Sequence, residues 1–219
     1  MFDTDLRLAQ LLCSRLCHDL VGPAGAVNAG LELAKEGGLD DGAMDLMTMS
    51  AGEITRRLAF FRIAFGAASG KASVGGGLSA NDARALAEDL LQGGKVALDW
   101  PDNRDEPDLF DPAVGKVLLL LILIASESLP RGGEVAVHSA QLPEGFGFAI
   151  AAQGEGVRLK DDLQQALSGA AGAGADGVTA RNVHAHYAHL LAAEAGGRLE
   201  WSAEDPGELR LMALFPAAG

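Results

Sequence analysis

The chain has 219 residues, 48% of them hydrophobic, which is enough for two modest domains or one large one. Its formal charge of −13, from 30 acidic against 17 basic residues, argues against a nucleic-acid partner, because such partners select concentrated positive charge. The most apolar run, Val117 to Ala125, is too short to span a bilayer, and Met-Phe-Asp-Thr-Asp at the start lacks the features of a secretory signal.

In chain order, residues 4–36 read as one helix, capped by Thr4 or Asp5 and ended by Gly37-Gly38. Its apolar seam is expected at Cys13, Cys17, Leu20, Ala24, Val27, Leu31 and Ala34, the alternating spacing of a bundle helix. Pro23 lies inside this helix and should kink it. A second helix runs from about Asp41 to Phe65, with the seam Met44, Met47, Ala51, Ile54, Leu58, Phe61 and Phe65. The short link between them forces an antiparallel hairpin. A lone hairpin cannot cover both seams, so a homodimer through residues 4–66, forming a four-helix bundle, is expected. Residues 66–77 are small and aperiodic, a linker by composition.

Beyond the linker the pattern changes. Ser79 to Gln92 reads as a helix capped by Ser79 or Asn81, Lys95 to Trp100 as a strand, and Pro112 to Ser128 as a strongly apolar helix. Strands are expected over Gly133–Gln141 and Phe146–Gln153, then a weakly specified Gly/Ala-rich stretch over 158–176. A helix from about Val178 to Ala195 and strands Arg198–Ala203 and Glu208–Phe215 complete the order. Such an order predicts an α/β sandwich, one sheet covered by helices, over residues 78–219.

His18 is the residue of greatest chemical interest. It stands one position off the seam, about 100° round the helix, and so should face water or a partner. A neutral imidazole beside a carboxylate, Asp19, is placed to act as a nucleophile near neutral pH. Asp19 would fix the tautomer by accepting the other ring N–H. Along the face of His18 stand Gly22, Gly25 and Ala29, all small. They would either let a partner helix approach closely or permit tight packing within the bundle. Arg15 is a further candidate for the partner surface, and Arg56, Arg57 and Arg62 could add to a local basic patch.

The remaining candidates read as structural. Cys13 and Cys17, the only cysteines, are four apart on one helix, unsuited to a disulfide, which favours a reducing cytoplasm. With both on the buried seam and His18 pointing away, no metal site is expected. His184, His186 and His189 read as solvated or capping residues, and Met44, Met47 and Met49 as core filler.

Taken together these features resemble a histidine-kinase core. His18-Asp19 followed by Pro23 resembles the phosphoacceptor box. Leu129-Pro130-Arg131-Gly132-Gly133-Glu134-Val135 is similar to the end of the kinase Asn-box, Gln153-Gly154-Glu155-Gly156-Val157 to the first glycine box, and Glu194–Glu200 to the region after the second. In that alignment Ile124 stands where a metal-holding Asn would, Ala152 where an adenine-reading Asp would, and Asn182 and His184 near the lid glycines. None of these residues can do the original work.

A kinase scaffold that keeps the histidine and loses the ATP site resembles the ChpT family of histidine phosphotransferases of alphaproteobacteria. The resemblance implies a dimer in which His18 accepts a phosphoryl group from a hybrid-kinase receiver and passes it to response-regulator receivers. It implies no cofactor in this chain, with Mg²⁺ supplied by the receiver, and neither nucleic acid nor membrane as partner. The competing readings are an ATP-dependent histidine kinase with an atypical nucleotide site, and a non-catalytic adaptor that docks receivers.

Overall fold

A computed structural model describes residues 2–37, 40–66, 77–103, 106–170, 177–203 and 207–217. Most of the expected linker, residues 67–76, lies outside the described residues.

Helix α1 (Phe2–Gly37) continues through Pro23 and pairs with α2 (Asp41–Ala64). The turn between them works because Asp40 caps α2, its carboxylate accepting from the Ala43 amide at 2.7 Å. Where the hairpin is tightest, Gly30 faces Met47: a Cβ on Gly30 would stand 2.5 Å from Met47 Cγ.

The packed faces of the hairpin lie to one side of the expected seams. On α2 the covered line is Ala43, Met47, Ser50, Ile54, Arg57, Phe61 and Ala64, which shares Met47, Ile54 and Phe61 with the expectation, and the expected Phe65 also packs on the core. On α1 it passes through Leu12, Arg15, Asp19, Pro23, Ala26 and Gly30. Within the single chain Cys13, Cys17, Ala24 and Leu31 of the expected seam are exposed, as are Met44, Ala51 and Leu58, while Leu20, Val27 and Ala34 are partly buried. A repeat of three and four residues specifies a helical stripe without saying which of two adjacent stripes meets the intrachain partner. The methionines likewise depart from core filling: Met44 and Met49 are exposed, and only Met47 packs.

After the hairpin come β1 (Leu78–Ser79), α3 (Ala80–Leu91), β2 (Val96–Asp99), β3 (Leu109–Phe110) and α4 (Pro112–Glu127). Then follow β4 (Gly133–Leu142), β5 (Gly145–Gln153), α5 (Asp161–Leu167), α6 (Val183–Glu194), β6 (Arg198–Ser202) and β7 (Glu208–Pro216). Ser79 caps α3 by accepting from the Asp82 amide, and Asp111 caps α4 with Pro112 at its first turn. The helix α5 lies inside the stretch expected to be weakly specified, and β1 and β3 form a short antiparallel ribbon that the sequence did not announce.

The main sheet has the order β2-β4-β5-β7-β6. All its pairs are antiparallel except β2 with β4. Helix α4 is apolar on every side and accordingly buried, from Val117 through Ala125, against this sheet and α6. The core does not stop at the sandwich: Phe60, Phe61 and Ala64 of α2 belong to it, and Leu16 of α1 packs on its edge. Lys116 adds a polar tie, donating to the Gly66 carbonyl at 2.6 Å. The hairpin root is thus fastened to the sandwich, which fixes where the upper part of α1 meets α4 and α6.

Candidate functional site

His18 lies on the middle of α1 with its side chain 82% exposed, while Asp19 beside it is only 9% exposed. The ring Nδ1 is 3.1 Å from Asp19 Oδ1. With a carboxylate as acceptor, the proton falls on Nδ1 and the Nε2 lone pair is left facing solvent.

Asp19 is itself held. Its second oxygen, Oδ2, accepts from Arg15 Nε at 2.6 Å, one turn back on the same helix. Arg15, expected at the partner surface, is instead buried and turned away from it. Its long side chain reaches into the sandwich, where Nη2 pairs with Glu127 and Nη1 donates to the Arg181 carbonyl at 3.2 Å. The same Nη1 is 3.4 Å from Nδ1 of His184, a residue with no exposed surface. His184 Nε2 lies 3.2 Å from Glu127 Oε2. With Nδ1 accepting from Arg15, the His184 proton sits on Nε2, near the glutamate but outside hydrogen-bond geometry. His184 is therefore neither solvated nor a cap, and the expectation fails because its partners come from distant parts of the chain.

Burial works against the ionised form of Glu127. His184 and Arg15 outweigh it, and hold the carboxyl below its ordinary range. For Arg15 burial opposes the charge as well, and Glu127 and Asp19 prevail and raise its pKa. The result is one continuous set of contacts, His18–Asp19–Arg15–Glu127–His184, running from the surface of α1 to the interior of α6. Only its first two members were legible from sequence.

Gly22, Gly25 and Ala29 are all exposed. A Cβ on Gly22 or Gly25 would meet nothing within 4 Å, so within the chain neither glycine is required by packing. Of the remaining arginines of the hairpin, Arg57 is paired with Glu53 along α2. Beside Glu127 a cavity of about 480 Å³ opens, rimmed by Arg131, Arg158 and Lys160 together with Glu155. That cluster of cations in an acidic chain was not visible as a sequence pattern, because its members come from separate loops.

The positions aligned with a kinase nucleotide site are closed. Ile124 and Ala152 have no exposed surface and belong to the core. Asn182 is buried and fully engaged: its Oδ1 accepts from the Thr179 amide at 2.7 Å, and its Nδ2 donates to the carbonyls of Asp162 and Gly177. This pinned turn is why α6 begins at Val183 rather than near Val178. Gly132 and Gly133 survive for a structural reason. Their positive φ values, +88° and +146°, bring the backbone against Lys95 and Gln153, where any Cβ would collide.

Residues 80–207 match the family described as histidine phosphotransferase C-terminal domain. Over 194 residues the chain is 38% identical to protein phosphotransferase ChpT of Brucella abortus (strain 2308), covering 89% of both chains. The chain belongs to the ChpT family of histidine phosphotransferases. A solved structure of a bacterial phosphotransferase superposes with a TM-score of 0.82 at 35% identity, covering 95% of this chain and 96% of the other. Acinetobacter baumannii histidine kinase AdeS shares the fold, with a TM-score of 0.51 at 15% identity over 92% of this chain and 98% of its own. The kinase-like architecture expected from the sequence is therefore the architecture found. No described helix of this family member is long and apolar enough to cross a membrane.

Proposed function

We propose that the chain is the histidine phosphotransferase of a two-component phosphorelay, with His18 as the phosphoryl carrier. The observation that carries this reading is the geometry of His18: an exposed ring with Nδ1 on a fixed carboxylate and Nε2 free. The donor is the receiver domain of a hybrid kinase, and the acceptors are receivers of response regulators. In the forward step the Nε2 lone pair forms an N–P bond as the P–O bond to the receiver aspartate breaks. The aspartate leaves as a carboxylate with the electron pair, and the phosphorylated ring, now cationic, keeps its Nδ1 proton on Asp19. Transfer onward is the reverse. Such a step needs alignment and electrostatic support more than any group of this chain's own, and the magnesium ion used belongs to the receiver site.

Further features support the reading. Ile124 and Ala152 offer no ligand to magnesium or adenine, and Asn182 closes the turn that would cover a nucleotide, so the phosphoryl group is not drawn from ATP. Cys13, Cys17, Val21, Ala24 and Leu31 along one face of α1, and Met44, Ala51 and Leu58 along one face of α2, are exposed, and a second copy would cover them to give a four-helix bundle. Gly22, Gly25 and Ala29 form the approach for the receiver helix, and the cationic rim beside Glu127 faces its acidic site. Cys13 and Cys17 as free thiols agree with a reducing cytoplasm.

The test is acid-labile labelling. Mixed with a radiolabelled, phosphorylated receiver, the chain should take up label that acid removes, and His18→Ala should take up none. Label on His18→Ala, or acid-stable label, would overturn the assignment. Nucleotide titration should show no binding at millimolar ATP, and sedimentation at micromolar concentration should give a dimer mass.

A further inference from the structure

We propose that Glu127, on the sandwich domain, is a positioning residue for the transfer reaction, acting through Arg15 and Asp19 on His18. This rests on His18 being the phosphoryl carrier.

Asp19 has two tasks that compete. It must accept the Nδ1 proton of His18, and it stands within 2.6 Å of Arg15 Nε. A guanidinium with no other anion near it would draw the whole carboxylate into a two-pronged pair, since that is the geometry an arginine fork favours. Here Glu127 occupies Nη2, while the Arg181 carbonyl and His184 Nδ1 share Nη1. Only Nε remains for Asp19, so Oδ1 stays free to hold the imidazole. Glu127 also sets the charge. Asp19, Arg15 and Glu127 sum to one negative charge, whereas Asp19 and Arg15 alone sum to zero. The negative surplus lies beside a ring that becomes cationic when it carries phosphate, and the Arg15 and Asp19 side chains are largely shielded from solvent, at 10% and 9% exposed, with Glu127 at 32%.

Arg15 therefore works as a bridge whose far end is on the other domain. His184 lies behind it, with ring Nε2 3.2 Å from Glu127 Oε2 and Nδ1 on the Arg15 side. The sandwich, having no nucleotide residues in place, retains by this contact a direct part in the chemistry on α1.

The test compares the whole chain with Glu127→Gln and with the double variant Arg15→Met/Glu127→Leu. The double variant removes both charges at once, a change that commonly leaves a fold as stable as before. Three readouts are taken: thermal unfolding, nitrogen NMR of the His18 ring, and transfer from a receiver domain charged with labelled acetyl phosphate. In the parent chain the NMR should show the proton on Nδ1. Glu127→Gln, which leaves Arg15 to Asp19 alone, should lose that preference. The double variant frees Asp19 of its arginine and keeps one negative charge, so it should retain the preference. The maximal transfer rate of Glu127→Gln should fall by about tenfold to a hundredfold, with the receiver concentration at half-saturation unchanged, and the double variant should recover most of it. Retention of the parent rate and tautomer in folded Glu127→Gln overturns the proposal, as does their loss in the folded double variant or a rate loss explained wholly by weaker receiver binding. If the parent chain accepts no label at all, the transferase reading fails instead. The NMR comparison, which needs no partner, still decides whether Glu127 positions His18.

Discussion

Arg15 and Glu127 are separated by 112 positions in the chain and meet as an ion pair between the first helix and the last residue of α4. A helix of the hairpin thereby carries a cation into the sandwich, where it is stabilised only by groups of both domains. Removing one partner leaves the other charge in a poor environment. Arg15→Ala should lower the unfolding free energy by about 2 kcal/mol, toward the weak end for a buried pair, because the Glu127 side chain keeps 32% of its surface. Urea denaturation measures this. A loss under about 0.5 kcal/mol would mean that the pair is no stronger than one on the surface.

Asp19→Asn separates orientation from charge. The amide keeps the shape of the carboxylate yet bears no charge to support a cationic ring. His18 should still accept phosphate, at a rate lowered about a hundredfold or more. Single-turnover labelling measures it, and an unchanged rate would remove Asp19 from the mechanism.

Stability should fall in two separate pH windows. The His186 imidazole is pushed down by burial and then by the nearby His189. The unfolded chain thus takes up its proton first, near pH ~6.5. Stability from this source is complete above that value and is lost as pH falls through the lower folded pKa. Glu127 is depressed as well, so its contribution is complete above the unfolded carboxyl value of ~4.3 and is lost as pH falls through the folded one. Denaturation curves taken from pH 7 to 3 should show both declines, with His186→Gln flattening the upper and Glu127→Gln the lower.

The small-residue face gives a test in which stability and activity move in opposite directions. Gly22→Ala and Gly25→Ala meet open space and replace poor helix formers, so each should stabilise α1 by roughly 0.5–1 kcal/mol. Transfer should nonetheless slow, and Ala29→Phe should block it while leaving the oligomeric mass unchanged. Unaltered transfer in all three variants would show that no partner comes close on this face.

The long elements were legible because each carries its own signal. The apolar run in α4, the cap at Ser79, and the alternation of β7 need no knowledge of what they pack against. What depended on the partner element was less legible. The stripe through Cys13 and Cys17 and the one through Leu12 and Arg15 are both reasonable helix faces, and only the position of α2 and α6 chooses between them. An arginine on a covered face reads as a defect until Glu127 is known to be opposite. His184 reads as one of a loose histidine trio for the same reason, since Arg15 is 169 residues away. Short α5, in a Gly/Ala-rich stretch, acquires its burial from Leu163, Ala166 and Leu167 only after the core exists to receive them. His18 and Asp19 were legible because they are adjacent and need no third element to be recognised.

Gly22, Gly25 and Ala29 have a thermodynamic meaning of their own. Side chains of this size have no rotamers to freeze, so a helix that settles on this face immobilises nothing on the α1 side. The contact also gains little buried area from them, so what is saved in ordering is not turned into long residence. A face of that kind favours many brief encounters over one lasting complex, a useful trait for a surface that must release each visitor before the next arrives.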